Sequence, residues 1–318
     1  MDSKILCIGE ALIDMICTDK GRSLSEGEHF LKKPGGAPTN VAAAIAALGG
    51  RVALAAKVGR DPFGKHLADV MASFGVDTDW MLEDPEAFTT FAFVSLMENG
   101  ERDFYFNRGA DGRLTAIETE GMDISDVSIL HFGSATAFLP GPLQEAYRGL
   151  FERAARDGKF ISFDPNYRHL LYHDRQPSFI GQSLDFIERC HFFKLSDEEA
   201  MLISGASSVQ ESVERLRQRT NAVFAVTLGA EGTLLACADG NSVVPSIPVV
   251  PVDTTGAGDA FVGAVLYQLQ AYHAEDMHRL PASEWAAIVA QANKAGARTC
   301  EYMGAMEAFR HLNTTIFK

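Results

Sequence analysis
The stretch Asp253–Phe261 reads D-T-T-G-A-G-D-A-F, and its residue types suit chemistry on a negatively charged group. The small residues Gly256, Ala257 and Gly258 let backbone N–H groups converge on one point. A helix expected over Ala260–Tyr272, from its apolar run, adds partial positive charge at the same point. A phosphate or a developing oxyanion is favoured there. Asp259 stands in the first turn of that helix. A carboxylate beside an anion hole is useful when a hydroxyl must lose its proton while attacking a phosphorus held by the hole. A second reading stays open on this motif alone: Asp is preferred at helix N-termini, so Asp259 merely caps the helix. The β-branched run Val249–Thr255, broken by Pro251, is expected to form the strand leading into the turn.

Other segments offer binding groups. Gly35-Gly36-Ala37-Pro38-Thr39-Asn40 precedes an Ala-rich helix; its glycines permit close backbone approach, and Asn40 offers both donor and acceptor to a hydroxyl. Asp14, just after the first strand, can accept two neighbouring hydroxyls of a polyol. Phe163-Asp164-Pro165-Asn166-Tyr167-Arg168 puts polar side chains at the C-terminal end of a strand, where open α/β sheets bind ligands. Lys194-Leu195-Ser196-Asp197-Glu198-Glu199 does the same one strand later, and Thr227-Leu228-Gly229-Ala230-Glu231-Gly232 ends another strand in a tight turn. Strand ends are often polar for structural reasons, but their joint occurrence at successive strands points to a ligand site. Several motifs fail. Gly59–His66 nearly spells a P-loop, yet His66 stands where a magnesium-binding hydroxyl is needed and Pro62 removes an N–H. No G-x-G-x-x-G follows the first strand, which argues against a dinucleotide-binding dehydrogenase. His169 and His173 lack an obvious third metal ligand and read as exposed histidines.

These groups need a scaffold. The 318 residues are 47% hydrophobic and 22% charged, as expected of a globular chain with a sizeable core. A net charge of -14 argues against a nucleic-acid or membrane surface. Five scattered cysteines, Cys7, Cys17, Cys190, Cys237 and Cys300, read as reduced, buried thiols. No signal-peptide pattern or membrane-spanning run is found, so the expected compartment is the cytoplasm. Strands are expected at Ile5–Gly9, Arg51–Val58, Ser128–Phe132, Phe160–Asp164, His191–Leu195 and Ala222–Thr227. They alternate with helices at Pro38–Leu48, Pro62–Phe74 (capped by Asp61), Pro142–Arg156, Ser178–Arg189, Asp197–Ser204 and Val209–Arg219. That alternation predicts an α/β fold, a three-layer sandwich around a mainly parallel sheet. Two segments break the rhythm, Met15–Lys33 and Thr89–Asn107, the latter a hairpin turning at Asn99-Gly100. They are expected to form a small β lid, segments 15–33 and 89–107, within one domain spanning 1–318. Ordinary surface hairpins are the alternative.

Two signatures, Gly35–Asn40 through Gly49 to Gly59 and Asp253 to Leu266, resemble those of the ribokinase-like, or PfkB-type, carbohydrate kinases, most closely the fructokinases. The resemblance covers essentially the whole chain and implies a central, mainly parallel sheet with a β lid over the sugar. It further implies ATP and magnesium as co-reactants, with Asp259 as the base and Gly256, Ala257 and Gly258 as the anion hole. Asp14, Gly35, Gly36 and Asn40 match sugar-contacting positions. Asp164, Asn166 and Arg168 lie in a D-P-N-Y-R stretch like that of fructokinases, and Arg108 resembles an arginine those enzymes place near the substrate. Pairing of both arginines with sheet-edge carboxylates is the structural alternative. On the nucleotide side stand Lys194, Ser196, Thr227, Gly229, Gly232 and Asn293, the last beside the adenine. Glu199 matches a residue associated with magnesium and phosphate, acting indirectly; Ser196 replaces the usual Asn of that motif. Asp253 and Thr255 match a monovalent-cation site, so potassium activation is implied. Fructose phosphorylated on its 6-hydroxyl is the first choice of reaction. A 2-keto-3-deoxygluconate, ribose or nucleoside kinase, or a sugar-binding regulator without catalysis, stays open. The apolar lid hairpin can pair with a second copy to form a homodimer.

Overall fold
The computed structural model describes residues 3–98 and 102–317. Its strands are β1 (Lys4–Ile8), β2 (Leu12–Cys17), β3 (Phe30–Gly35), β4 (Val52–Gly59), β5 (Met81–Asp84), β6 (Phe91–Leu96) and β7 (Arg102–Asn107). There follow β8 (Val127–Phe132), β9 (Phe160–Phe163), β10 (Phe192–Ser196), β11 (Val223–Thr227), β12 (Thr233–Cys237) and β13 (Gly240–Val244). The helices are α1 (Ala37–Ala47), α2 (Pro62–Phe74), α3 (Ala116–Glu120), α4 (Pro142–Arg156), α5 (His169–Tyr172) and α6 (Gln176–Ile187). The remainder are α7 (Asp197–Ser204), α8 (Val209–Arg217), α9 (Ala257–Leu269), α10 (Ala274–Met277), α11 (Ala282–Thr299) and α12 (Ala305–Phe309).

Nine strands form the central sheet in the order β13-β12-β11-β10-β9-β8-β1-β4-β5. Every neighbouring pair is parallel except β11–β12 and β12–β13. Parallel strands buried on both faces read as continuous apolar runs, and β4 is buried at all eight positions. One face packs against α1, α2, α9, α11 and α12 through Val41, Leu67, Val265, Ile288 and Phe309. The other packs against α4, α6, α7 and α8 through Leu150, Phe186, Ile203 and Leu216. Three layers result, as the alternation of elements predicts. A separate four-stranded sheet, ordered β3-β2-β6-β7, gathers both segments that break the alternation. Its strands extend a little beyond the expected 15–33, beginning at Leu12 and ending at Gly35. The Asn99-Gly100 turn lies outside the described residues.

Three expectations need correction. Val249–Thr255 is not a strand: after β13 the chain runs without regular structure to α9. Pro245, Pro248 and Pro251 lack the N–H groups a ladder requires, and Val250 and Val252 are exposed. The glycine turn therefore follows a loop rather than a strand. Cys17 and Cys300 are only half-buried, although all five thiols are free. Finally, α11, with 18 residues, and the antiparallel edge strands β12 and β13 have no counterpart among the expected elements. No helix of the described residues is long and apolar enough to cross a membrane.

Candidate functional site
Helix α9 starts without a side-chain cap. Gly256 is its N-cap, in the left-handed region at φ 81°. An added Cβ there would stand 2.4 Å from Ala305 Cβ, so only glycine fits. The first-turn amides of Gly258 and Asp259 find no acceptor among the described residues. Unmet N–H groups and the helix dipole favour negative charge at this point. Lys194 reinforces it: a Cβ on Gly258 would lie 3.1 Å from Lys194 Nζ, which places the ammonium beside the turn.

Asp259 is buried and does not cap its own helix. Its Oδ2 accepts from Asn40 Nδ2 at 2.8 Å, which joins the start of α9 to the start of α1. Burial raises its pKa above the usual carboxylate range, against the opposing pull of Asn40, Arg168 and Lys194. An elevated pKa suits a group that must take up a proton during a reaction. Asn40 Oδ1 is buried without a partner, an acceptor awaiting a donor such as a hydroxyl.

Around this pair the strand ends converge. Lys194, on β10, bonds Asp164 Oδ2 at 3.2 Å. Burial alone would lower its pKa, but the carboxylates of Asp164, Glu199 and Asp259 outweigh burial and raise it, so Lys194 is a cation. Asn166 adopts a left-handed φ of 49°, and its Nδ2 donates to Gly133 O at 2.9 Å. Arg168 is exposed and bonds only within its own loop, to Tyr167 O and Asn166 Oδ1. Its charge nevertheless reaches both Asp14 and Asp259. Arg108 differs: it pairs with Asp111 at 3.5 Å and donates to Thr136 O and Pro140 O. The structural alternative thus describes Arg108 but not Arg168, which makes no ion pair among the described residues. Asp14, on β2 of the smaller sheet, is pushed up to about 7 by burial; Glu10 pushes the same way and Arg168 opposes. Its carboxylate fills the space that Gly35 leaves, since a Cβ there would fall 2.1 Å from Asp14 Oδ2.

Glu199 has both oxygens engaged, Oε1 by Tyr167 N and Oε2 by Ser196 N, each at 2.8 Å. With Ser196 it forms a capping box on α7. Thr227 lies beside Ser196 in the β10–β11 register and donates to Leu195 O at 3.3 Å. Gly229 opens the short turn that Gly232 closes, with Leu228 N bonded to Gly232 O at 2.8 Å. Asn293 is on α11, its Oδ1 bonded to Thr233 Oγ1 at 2.6 Å and its Nδ2 to Val244 O at 2.9 Å. Both ends of that amide hold β12 and β13 in place. Asp253 accepts from Thr255 N, Thr255 Oγ1 and Gly304 N at 2.7 to 2.9 Å, which shapes the loop before α9. Its carboxylate and the neighbouring carbonyls are the hard oxygen donors a monovalent cation takes. His169 and His173 are exposed, and no group of three or more His, Cys, Asp or Glu able to hold a metal occurs among the described residues.

Sequence reasoning passed over Glu10, Ser134, Thr136 and Asp111, a buried polar cluster beside the Gly35–Asn40 turn. Glu10 carried a signal: an acid placed directly after an apolar strand, as Asp164 is.

Comparisons with known proteins identify the family and the fold. The model of the pfkB family carbohydrate kinases matches residues 2–311. Fructokinase-1 of Zea mays is 40% identical over 268 residues, covering 83% of this chain and 82% of that protein. The crystal structure of a fructokinase with bound ATP from Xylella fastidiosa superposes with a TM-score of 0.87 at 29% identity, covering 100% of this chain and 97% of the other. A double mutant of the Vibrio cholerae fructokinase, bound to fructose, ADP and a potassium ion, gives 0.80 at 29% identity, covering 99% and 97%.

Proposed function
The chain belongs to the pfkB family of carbohydrate kinases, and from that premise we propose that it transfers the γ-phosphoryl group of ATP to the 6-hydroxyl of D-fructose. One observation carries the reading: buried Asp259 stands at a helix start where the amides of Gly258 and Asp259 have no acceptor among the described residues, with Lys194 alongside. Asp259 orients the attacking hydroxyl and takes its proton as the bond to phosphorus forms. The amides of Gly258 and Asp259, with Lys194, stabilise charge on the phosphoryl oxygens. Asn40 holds Asp259 and offers its free Oδ1 to the sugar; Asp14 accepts sugar hydroxyls. Magnesium, when bound, neutralises phosphate charge. Glu199, both oxygens already engaged, contributes by holding the loop at Tyr167. Asp253 and Thr255 are the residues that would hold potassium, whose charge would add to the anion hole. Thr227 and the Gly229–Gly232 turn would lie along the nucleotide, while Asn293 keeps the edge strands beside it in place.

Electrostatics favours a neutral ketose over a sugar acid. Asp14, Asp164 and Asp259, with Glu10 behind them, crowd the pocket with carboxylates, and Arg108 is already paired. The four-stranded sheet would act as the lid that excludes water. Ile16, Leu31 and Leu96, at 40%, 43% and 60% exposure, lie on the sheet face that carries Asp14, which supports pairing of that sheet with a second copy. Five free thiols suit a reducing compartment such as the cytoplasm.

The test is ADP release from ATP and magnesium over a panel of hexoses, pentoses, keto-sugar acids and nucleosides. Fructose is expected to give the highest kcat/KM. Sugar binding with no ADP formed would instead identify a regulator.

A further inference from the structure
Two buried carboxylates have no assigned contact with sugar or nucleotide in the reading above. Glu10 follows β1, and its Oε1 accepts from Ala37 N at 3.0 Å and Ala135 N at 3.3 Å. Its Oε2 accepts from Ser134 Oγ at 2.5 Å and lies 3.5 Å from Thr136 Oγ1. Its main-chain O accepts from Thr39 Oγ1 at 3.0 Å. One residue therefore holds the first turn of α1, and with it Asn40. Asp111 is equally buried. It accepts from Thr90 Oγ1 and, at 2.9 Å, from Thr136 Oγ1, and it pairs with Arg108. Thr90 in turn takes Ile13 N on its carbonyl at 3.0 Å and Gly109 N on its hydroxyl at 2.8 Å. Asp111 thus grips the roots of β2, β6 and β7, where the four-stranded sheet leaves the body of the molecule.

Thr136 joins the two clusters. Its hydroxyl carries a single hydrogen, with one carboxylate at 2.9 Å and another at 3.5 Å. A shift of the sheet roots changes which carboxylate that hydrogen serves; the other keeps Ser134 or Arg108 but loses one bond where water cannot replace it. We infer that Glu10, Thr136 and Asp111 are positioning residues that couple the posture of the four-stranded sheet to the Gly35–Asn40 turn, and so set sugar affinity. The inference rests on the sugar-kinase reading. Its effect is selective, because the nucleotide-side residues Ser196, Thr227 and Gly229 take part in none of these bonds. A scaffold role alone would disturb both substrates.

Thr136→Val keeps the side-chain shape and removes the hydroxyl, whereas Thr136→Ser restores it. Steady-state kinetics and the fructose-induced rise in Tm on the full chain separate the cases. The Val variant is expected to raise the fructose KM about tenfold, as loss of a hydrogen bond to a charged group would. At a fixed fructose concentration it should also show a smaller fructose-induced Tm rise, with the ATP KM unchanged; the Ser variant should recover both sugar readouts. An unchanged fructose KM, or an equal rise in both KM values, overturns the coupling. Should the Val variant fail to fold, Glu10→Gln reads the same split: a raised fructose KM alone supports it, and wild-type values sink it. Absence of turnover in the wild-type chain on every sugar of the panel would sink the kinase reading instead, a separate result.

Discussion

The two glycine-led helix starts of this molecule look alike and differ in one respect that decides their use. Both α1 and α9 follow a glycine N-cap with positive φ, 108° at Gly36 and 81° at Gly256, and neither has a side-chain cap. At α1 the first-turn amide of Ala37 already has its anion, the Glu10 carboxylate. At α9 the amides of Gly258 and Asp259 have none. The first start, with Ala37 N held by Glu10 and no N–H on Pro38, is a mount for Asn40; the second, where only Ala257 N is taken, by Thr254 O, is poised for an anion that the chain itself does not supply. An unfilled amide nest beside a buried acid is what phosphoryl transfer needs, and a filled one is what positioning needs.

Asp259→Asn attacks that contrast most severely. With the acceptor for the proton removed, kcat should fall by about 10²–10⁴-fold, while fructose binding by calorimetry is retained. Near-normal turnover would take Asp259 out of the mechanism. Gly258→Val fills the nest itself: the added Cβ meets Lys194 Nζ and crowds the anion. A loss of about 10²–10³-fold in kcat is expected, with an unchanged circular dichroism spectrum; full activity in a folded variant would show that no phosphate sits there.

The smallest effect is read from pH. Desolvation of its half-buried carboxyl pushes Asp14 up from the ordinary 3.8 to about 7, with Glu10 pushing further and Arg168 opposing. Only its ionised form accepts two hydroxyls, so the fructose KM should fall roughly tenfold as pH rises from about 6 to about 8. Asp14→Asn should give a high, flat profile; a flat profile in the wild-type chain contradicts the assignment. The stability sign is opposite. The native state keeps this proton longer than the unfolded chain does. Its contribution is therefore complete below the ordinary carboxylate range and is lost as pH rises through about 7.

Much of the scaffold was legible in the chain. Helices Pro62–Phe74, Pro142–Arg156 and Asp197–Ser204 occur at the expected bounds, and Asp61 caps the first by accepting from Phe63 N and Gly64 N. These are signals carried by neighbours in sequence: apolar period, proline at the first turn, an acid at the cap. The strand expected at Val249–Thr255 does not form despite its β-branched content, because Pro251 within it and Pro245 and Pro248 before it remove ladder donors, and α11 was passed over although Trp285, Ile288, Val289 and Ala292 line one buried face.

The sequence by itself determined the residue types at each strand end and the two glycine turns, since local backbone demands and apolar period are short-range. Only the tertiary structure decided which of those residues act together. It brought Asn40 to Asp259 across 219 positions of chain, set Lys194 against the turn at Gly258, and put the charge of Arg168 within reach of Asp14 and Asp259. The reason is physical: hydrogen bonds and charges act over a few ångströms, and in this fold those distances are set by how helices seat on the sheet rather than by separation along the chain.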